Sequence, residues 1–177
     1  GVDYGAPIAS SVTVESGCTS LSFDGVNDKV EVLDDNSLDL TTNLTYAAWI
    51  KPLGNGSIVS KGRAPASTGS VLRISGGNIL DFGINDGMSF NCAIRSSNLV
   101  IHNQWNFVVA TYDGHTGAVY LNGSLEATKT CIGTLLNSNE PLIIGQEAPN
   151  LPIPFEGVIS SVSVYNSTLS SQQISDL

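Results

Sequence analysis

Apolar and polar residues alternate along much of the chain, and the alternation is clearest between residues 105 and 112. In WNFVVATY, positions 105, 107, 109 and 111 fall on one side of a two-residue period, and the intervening residues fall on the other. Such a run, rich in aromatic and β-branched residues, predicts a strand with one buried face. We therefore expect Trp105 to pack in the core, together with Trp49 of the similar run TYAAWIK.

Turn residues divide the rest of the chain into short segments. DGHTG at 113–117 and NG at 122–123 supply glycines that tolerate positive φ, and they predict a three-stranded meander with 118–121 as its middle strand. Further strands are predicted at 21–23, 29–33, 44–51, 58–61, 71–75, 79–84, 88–96, 127–134, 141–145 and 157–165. Ser170 with Gln173 is a capping pattern that predicts one helical turn at the end.

A dozen short strands at this spacing predict an all-β sandwich or jelly roll. The 177 residues fit one domain. Residues 1–18 stand apart as an extended segment with one short strand and a flexible Ser-Gly joint, and residues 19–177 form the domain. The proline-containing loops at 62–69 and 148–154 are of the kind that carries function.

Seven segments resemble, in order, the motifs of laminin-G-like (concanavalin A-like) lectin-glucanase domains. They are LSFDGVNDKVEV, TYAAWIKP, IVSK, QWNFVVATYDG, VYLNGSL, LIIGQ and FEGVISSVSVYNSTLSSQQI, and they cover residues 20–177. The resemblance implies an antiparallel two-sheet jelly-roll sandwich.

Two departures from the family pattern bear on function. Members usually begin with an apolar, aromatic-rich strand, in whose place this chain has residues 1–18. The family also often carries Asp-Glu where this chain has Ser160-Ser161, which removes two carboxylates of a calcium site. Asp24, Asn27 and Asp28 could hold calcium through their oxygens, but they also suit a plain turn, and we predict no cofactor.

The net charge of −9 argues against binding to nucleic acids and to anionic membranes, which requires clustered cations. Since the chain holds no run of 18 apolar residues, we predict no membrane span.

Acidic pairs of the kind that cleave glycosidic bonds are absent from any single predicted strand. Asp34 and Asp35 lie in a predicted turn, and Glu140 and Glu147 flank a predicted strand. Asp86 follows the end of the predicted strand that holds Asp81. The two histidines, at positions 102 and 115, have no metal-ligand spacing. We therefore predict a non-catalytic member of the family.

The three cysteines fit neither a metal motif nor a dense disulfide scaffold. Cys92 shares a strand face with Ile94, and Cys131 lies on a strand expected beside it, so we predict that these two are bonded. Cys18 is the alternative partner or a spare thiol. Four Asn-x-Ser/Thr sequons, at Asn43, Asn55, Asn122 and Asn166, are candidate N-glycosylation sites of an extracellular or cell-surface protein.

Two functions from different classes fit these observations. The first is a structural subunit of a cell-surface assembly or filament, in which Ile8, Val12 and Val14 form a strand donated to another copy of the chain. The alternative is that this strand docks on its own sandwich. The second is a secreted adhesion module that recognises a glycan or a surface protein through its loops.

Overall fold

The structure is a computed structural model that describes residues 8–10, 13–14, 20–62, 68–86, 92–131, 135–147 and 153–177. The described elements are, in chain order, β1 (Ile8–Ser10), β2 (Thr13–Val14), β3 (Ser20–Asp24), β4 (Lys29–Val32), a 3-10 turn (Asn36–Leu38), β5 (Leu44–Pro52), β6 (Gly56–Gly62), β7 (Thr68–Ser75), β8 (Ile79–Asp86), β9 (Cys92–Leu99), β10 (Asn106–Tyr112), β11 (Thr116–Leu121), β12 (Ser124–Thr130), β13 (Leu142–Ile144), β14 (Glu156–Tyr165) and α1 (Ser171–Ser175).

The strands form two antiparallel sheets that pack face to face. Sheet I has the order β1-β4-β13-β6-β7-β8-β9, and sheet II has the order β12-β11-β10-β5-β14-β3-β2. The predicted all-β jelly-roll sandwich is confirmed. The predicted meander is also confirmed, as β10, β11 and β12 are consecutive neighbours at one side of sheet II.

The core lies between the sheets and is filled by the inward side of each strand. The buried Tyr46 on β5 meets Phe82 on β8 in an edge-to-face contact with ring centroids 6.3 Å apart. The Tyr46 hydroxyl lies 2.9 Å from the Ser70 Oγ, so this polar atom is satisfied inside the core. The period-2 pattern therefore has its physical cause in the contact between the two sheets.

The outer face of sheet II carries a second, smaller apolar cluster. Helix α1 packs its buried Ile174 against Ala47, Val109 and Tyr120, which lie on the opposite side of their strands from the main core. The predicted capping box is present, because the side chain of Ser170 accepts from the N–H of Gln173 and the Gln173 side chain accepts from the N–H of Ser170.

One pair of sheet edges is joined covalently. Cys92 begins β9, the last strand of sheet I, and Cys131 follows β12, the edge strand of sheet II. Their sulfur atoms are bonded and their Cα atoms are 5.3 Å apart, which confirms the predicted disulfide. Cys18 lies outside the described residues.

The N-terminal segment pairs with its own chain. Ile8–Ser10 pair with Lys29–Glu31 at the edge of sheet I, and Thr13–Val14 pair with residues 21–22 at the edge of sheet II. Val12 lies outside the described residues. The structure thus corrects our expectation of donation to another copy: the main-chain groups of these strands find ladder partners in cis, across both edges opposite the disulfide.

Candidate functional site

A buried charged cluster lies on the outer face of sheet I. Arg73 on β7 is the register partner of Asp81 on β8, and its Nη2 lies 3.0 Å from the Asp81 Oδ2. Its Nη1 lies 3.4 Å from the Oε2 of Glu147, which follows β13. The Ser57 hydroxyl donates to the same Glu147 oxygen at 3.1 Å. The guanidinium therefore bridges the carboxylates of Asp81 and Glu147, which are 8 and 74 residues away from Arg73 in the sequence.

The burial of this cluster determines what it can do. The side chains of Asp81 and Glu147 are 1% and 0% exposed, so bulk solvent and a polysaccharide chain do not reach them. Arg95, the register partner of Asp81 on the other side, lies 3.6 Å from its Oδ1 and is 61% exposed. Opposite charges compensate one another here, which is the usual condition for carboxylates inside a protein. The sequence predicted neither Arg73 nor the meeting of these two acids.

Of the remaining acidic candidates, Asp34 and Asp35 have structural partners, and the Glu140 side chain is exposed. Lys61 is 5% exposed, forms an ion pair with Asp34, and donates to the carbonyl oxygens of Ser138 at 2.5 Å and Glu140 at 2.6 Å. Asp35 accepts from the N–H of Ser37 and caps the 3-10 turn. The side chain of Asp86 lies outside those described.

The candidate calcium turn uses its carboxylates on its own backbone. The Asp24 Oδ1 accepts from Val26 N at 2.8 Å and from Asn27 N at 3.3 Å, and Asp28 Oδ2 accepts from Asp24 N at 3.0 Å. The Val26 N–H, followed by weaker backbone donors, lowers the pKa of Asp24 because it stabilises the carboxylate. Within the described ranges, no group of three or more His, Cys, Asp or Glu side chains is placed to hold a metal ion.

The histidines differ in their surroundings. His115 lies in the β10–β11 turn, as predicted, where its N–H donates to the Asp113 Oδ1 at 2.9 Å. Hydrogen bonds from the backbone of Thr116 and His115 lower the pKa of Asp113. The Nε2 of His102 is buried and has no hydrogen-bond partner among the described residues.

The two tryptophans contradict our sequence prediction. Trp49 and Trp105 are 39% and 46% exposed, so neither is a core residue. Trp49 lies on the outer face of sheet II, opposite its register partner Phe107, and their rings stack with centroids 5.1 Å apart at an interplanar angle of 28°. Trp105 precedes Asn106, the register partner of Ile50, so it lies close to Trp49 along the sheet. We call Trp49 and Trp105, with the buried Phe107 against which Trp49 stacks, the aromatic surface.

Two features of the fold keep the aromatic surface open and in place. Helix α1 covers the part of the outer face around Ala47 and Val109 and leaves the Trp49 end uncovered. Next to Trp105 in the sequence, the buried Asn106 donates to the carbonyl oxygens of Ile101 at 2.9 Å and Gln104 at 2.8 Å and accepts from Ile101 N at 3.1 Å. This side chain fixes the loop that ends in Trp105.

All four sequon asparagines are exposed. Asn122 is beside the aromatic surface, because its Oδ1 accepts from Phe107 N at 2.8 Å and its own N–H donates to Phe107 O at 2.7 Å. Asn43 accepts from the Thr168 hydroxyl at 3.2 Å. Exposure satisfies the spatial requirement for a glycan at Asn43, Asn55, Asn122 and Asn166, and their modification stays a prediction.

Comparison with known families gives a match over residues 24–175 to the model of the concanavalin A-like lectin/glucanases superfamily, Laminin_G_3. The chain belongs to this superfamily. The resemblance noted in its motifs is therefore confirmed. A comparison with curated proteins gave no match.

Solved structures with the same fold include proteins of several kinds. A native heptameric SAP-like pentraxin from Limulus polyphemus is 21% identical with a TM-score of 0.65, over 92% of this chain and 82% of that one. Domain 4 of AbnA, an extracellular GH43 arabinanase from Geobacillus stearothermophilus, seen with arabinotriose, is 16% identical with a TM-score of 0.73, over 97% and 81%. The binding domain of botulinum neurotoxin DC, in complex with SialylT, is 15% identical with a TM-score of 0.74, over 95% of this chain and 44% of that one. The TM-scores show a shared fold, and at these identities the likeness shows the fold alone.

Helix α1 is five residues long, and nowhere in the described part of the chain is there a helix long and apolar enough to cross a membrane.

Proposed function

We propose that the domain is a lectin-like recognition module that binds an uncharged glycan on the aromatic surface. The observation that carries the proposal is the exposure of Trp49 and Trp105 on the part of sheet II that α1 leaves open. Large aromatic side chains are costly to leave in water, and they are enriched where a protein meets a ligand or partner. A flat indole face suits the apolar C–H face of a pyranose or furanose ring.

Charge narrows the class of glycan. The chain carries a net charge of −9, which repels sialylated and sulfated chains at long range. Lys51 is two residues from Trp49 on the same side of β5, and Asn122, when it carries no glycan, offers an exposed amide beside Phe107. These groups can form hydrogen bonds with sugar hydroxyls. The AbnA domain, which shares the fold, is seen with arabinotriose, and the botulinum neurotoxin binding domain is in complex with SialylT, so the choice of a neutral glycan rests on the charge of this chain.

The experiment is a calorimetric titration of the protein with neutral oligosaccharides and with sialylated ones of matched length. We expect binding of a neutral oligosaccharide, and a loss of affinity of at least about tenfold, or about 1.4 kcal/mol, in Trp49→Ala and in Trp105→Ala. Leu33→Ala is the matched control, because Leu33 is an exposed apolar residue, 67% accessible, that follows β4 of sheet I. Binding that is unchanged in both tryptophan variants would disprove this site.

We further propose that the module acts without catalysis or a cofactor, in an extracellular setting. The pairing of Asp81 and Glu147 with Arg73, and the use of Asp24 and Asp28 by their own turn, support the first part. The disulfide supports the second, since such bonds persist in oxidising compartments. Product release from β-glucans or arabinans, or a titration that changes with calcium or a chelator, would contradict the first part.

The filament role that we also predicted loses its main argument, because the strand expected to join copies pairs within its own chain. It stays a proposal for which electron microscopy of the native material is the direct test.

A further inference from the structure

One of the four sequons lies in the tight turn between β11 and β12. Asn122 is the first central residue of this turn, with a φ of +51°, and Gly123 follows with a φ of +80°. Positive φ at both central positions defines a type I′ turn, in which asparagine and glycine are the favoured pair. Ser124, the third residue of the sequon, begins β12. Asn122 and Ser124 are both exposed.

The side chain of Asn122 is anchored to β10. Its Oδ1 accepts from Phe107 N at 2.8 Å, and its own N–H donates to Phe107 O at 2.7 Å. The two bonds extend the β10–β11 ladder by one pair beyond Val108 and Leu121. Because Nδ2 belongs to the same planar amide as Oδ1, these bonds also hold the nitrogen that an N-glycan would use.

The strand order places Asn122 in one row with the aromatic surface. Phe107 is bonded to Asn122 on one side and is the register partner of Trp49 on the other. Neighbouring strands are about 4.8 Å apart, so roughly 10 Å separates Asn122 from Trp49. The inner side of this hairpin is filled by Val108 and Leu121 of the main core. A bulky group on Asn122 is therefore kept away from the inner side.

We propose that Asn122 carries an N-linked glycan whose first sugars lie across Phe107 and Trp49 and shield the aromatic surface. In the modification, Nδ2 loses a proton and bonds to the anomeric carbon of an oligosaccharyl diphosphate donor, while the bond from that carbon to the diphosphate breaks and the diphosphate leaves. Oδ1 keeps its lone pairs, so the bond from Phe107 N survives the reaction. The apolar face of a sugar ring held there can pack on an indole.

The other sequons are further from the aromatic surface or lead away from it. Asn43 precedes β5 and is six residues from Trp49, which is roughly 20 Å along an extended strand. Asn166 follows β14, whose last residues pair with the beginning of β5, so it lies at that same far end. Asn55 lies in the connection from β5 to β6, which leads to the other sheet. Asn122 is the sequon whose side chain is bonded to the aromatic surface.

The consequence for binding rests on the proposed function, because a glycan that covers the aromatic surface in cis competes with a glycan in trans. A ligand on a short tether has an effective concentration on the order of millimolar. The domain therefore recognises a free oligosaccharide where Asn122 is unmodified and loses this recognition where Asn122 carries its glycan. The shielding itself does not depend on the proposed function.

The fluorescence of the protein measures the shielding directly, because Trp49 and Trp105 are the two tryptophans of the chain. The test compares the wild type secreted from cultured animal cells with Ser124→Ala from the same cells, which lacks the sequon but keeps Asn122. Mass spectrometry of the peptide that holds Asn122 gives its occupancy. We expect acrylamide to quench the glycosylated protein at least about twofold more weakly, since a stacked sugar excludes the quencher from an indole face. A neutral oligosaccharide should bind it at least about tenfold more weakly.

Three controls isolate the effect of this glycan. Ser124→Thr keeps the sequon and should remain shielded. Asn166→Gln removes a glycan at the far end of the sheet and should change neither quenching nor binding. Wild type and Ser124→Ala from a bacterial periplasm, both without glycans, should be quenched equally, which shows that the substitution alone does not alter the aromatic surface.

The possible results separate this proposal from the proposed function. An unoccupied Asn122 in the secreted protein, or quenching equal to that of Ser124→Ala when Asn122 is occupied, would overturn the shielding. Shielding with equal oligosaccharide binding by both forms would overturn the competition. Shielding in a protein that binds no oligosaccharide in either form would contradict the proposed function and support the position of the glycan.

Discussion

The ring of Phe23 fills the space beside Gly145, so that a Cβ built on Gly145 would lie 2.1 Å from the Cε1 of Phe23. Gly145 has a φ of +84°, its N–H donates to Ile58 O at 3.0 Å, and its carbonyl accepts from Phe155 N at 2.8 Å. Phe23 and Phe155 in turn meet edge to face. Both the backbone conformation and the close approach at this position require glycine.

Gly145→Ala should lower the free energy of unfolding by about 2–5 kcal/mol, of which about 1–2 is backbone strain and about 1–3 is overpacking. Gly77→Ala is the matched control, because Gly77 has a φ of +83° and nothing within 4 Å of its Cβ position. It should show the strain alone, about 1–2 kcal/mol. Urea unfolding of the two variants measures the difference, and equal losses would contradict the packing argument.

The strands could be predicted from sequence, but which face of each strand points into the main core could not. The two-residue period around Val108 and Val109 identifies a strand, yet both residues are fully buried, one in each apolar cluster. Because α1 covers part of the outer face, apolar residues occupy both sides of β10, and the pattern loses the contrast that marks the core. This is why Trp49 and Trp105 were wrongly predicted to be core residues.

Arg73→Met should destabilise the fold by about 3–5 kcal/mol, because it leaves two buried carboxylates without their shared cation. Arg95→Met is the control, since Arg95 pairs with the same Asp81 but is 61% exposed, and it should cost about 0–1 kcal/mol. Thermal and urea unfolding of both variants at pH 7 compare the two. Similar losses in both would show that burial does not determine the strength of this cluster.

Replacing Cys92 and Cys131 together by alanine should cost about 4 kcal/mol on the chain-entropy model, given a separation of 39 residues. Unfolding of the double variant should match that of the reduced wild-type protein. Thiol titration of the denatured, unreduced protein should find one free cysteine per chain, Cys18. Three titratable thiols would contradict the bond.

The free energy of unfolding should decrease at high pH because of the buried Tyr46. Burial raises its pKa from the ordinary value of 10 to about 12, and the hydrogen bond with Ser70 offsets part of the rise. Since the folded pKa is the higher one, the stabilisation is complete below pH 10 and is lost as the pH rises toward 12. The loss in the free energy of unfolding is roughly 3 kcal/mol, because each unit of pKa difference corresponds to about 1.4 kcal/mol.

Between pH 7 and 11.5, the free energy of unfolding measured with urea should therefore fall more steeply with pH for the wild type than for Tyr46→Phe. Burial also raises the pKa of Tyr112, so the difference between the two proteins is the quantity to measure. The variant should lose about 1 kcal/mol at pH 7 for the hydrogen bond. Parallel curves would contradict the effect of Tyr46.

In the candidate sites, too, contacts between residues close in sequence could be predicted, and contacts between distant residues could not. The turn of Asp24, the cap at Ser170 and the turn of Asp113 use partners within a few residues, and the sequence predicts such contacts. Arg73 meets Glu147 only because sheet I places β7 near the end of β13. No pattern in the sequence carries that register, so the charged cluster becomes visible only in the structure.

The covalent bond at one edge of the sandwich also limits how far the two layers can separate there. The chain itself crosses between the layers at several places, among them β3 to β4, β5 to β6 and β9 to β10. The bond adds a crosslink between β9 and the end of β12, two strands that are not consecutive in the chain. Opening of the sandwich at this edge therefore requires the bond to be reduced, so reduction should raise the rate of proteolytic cleavage near β9 and β12.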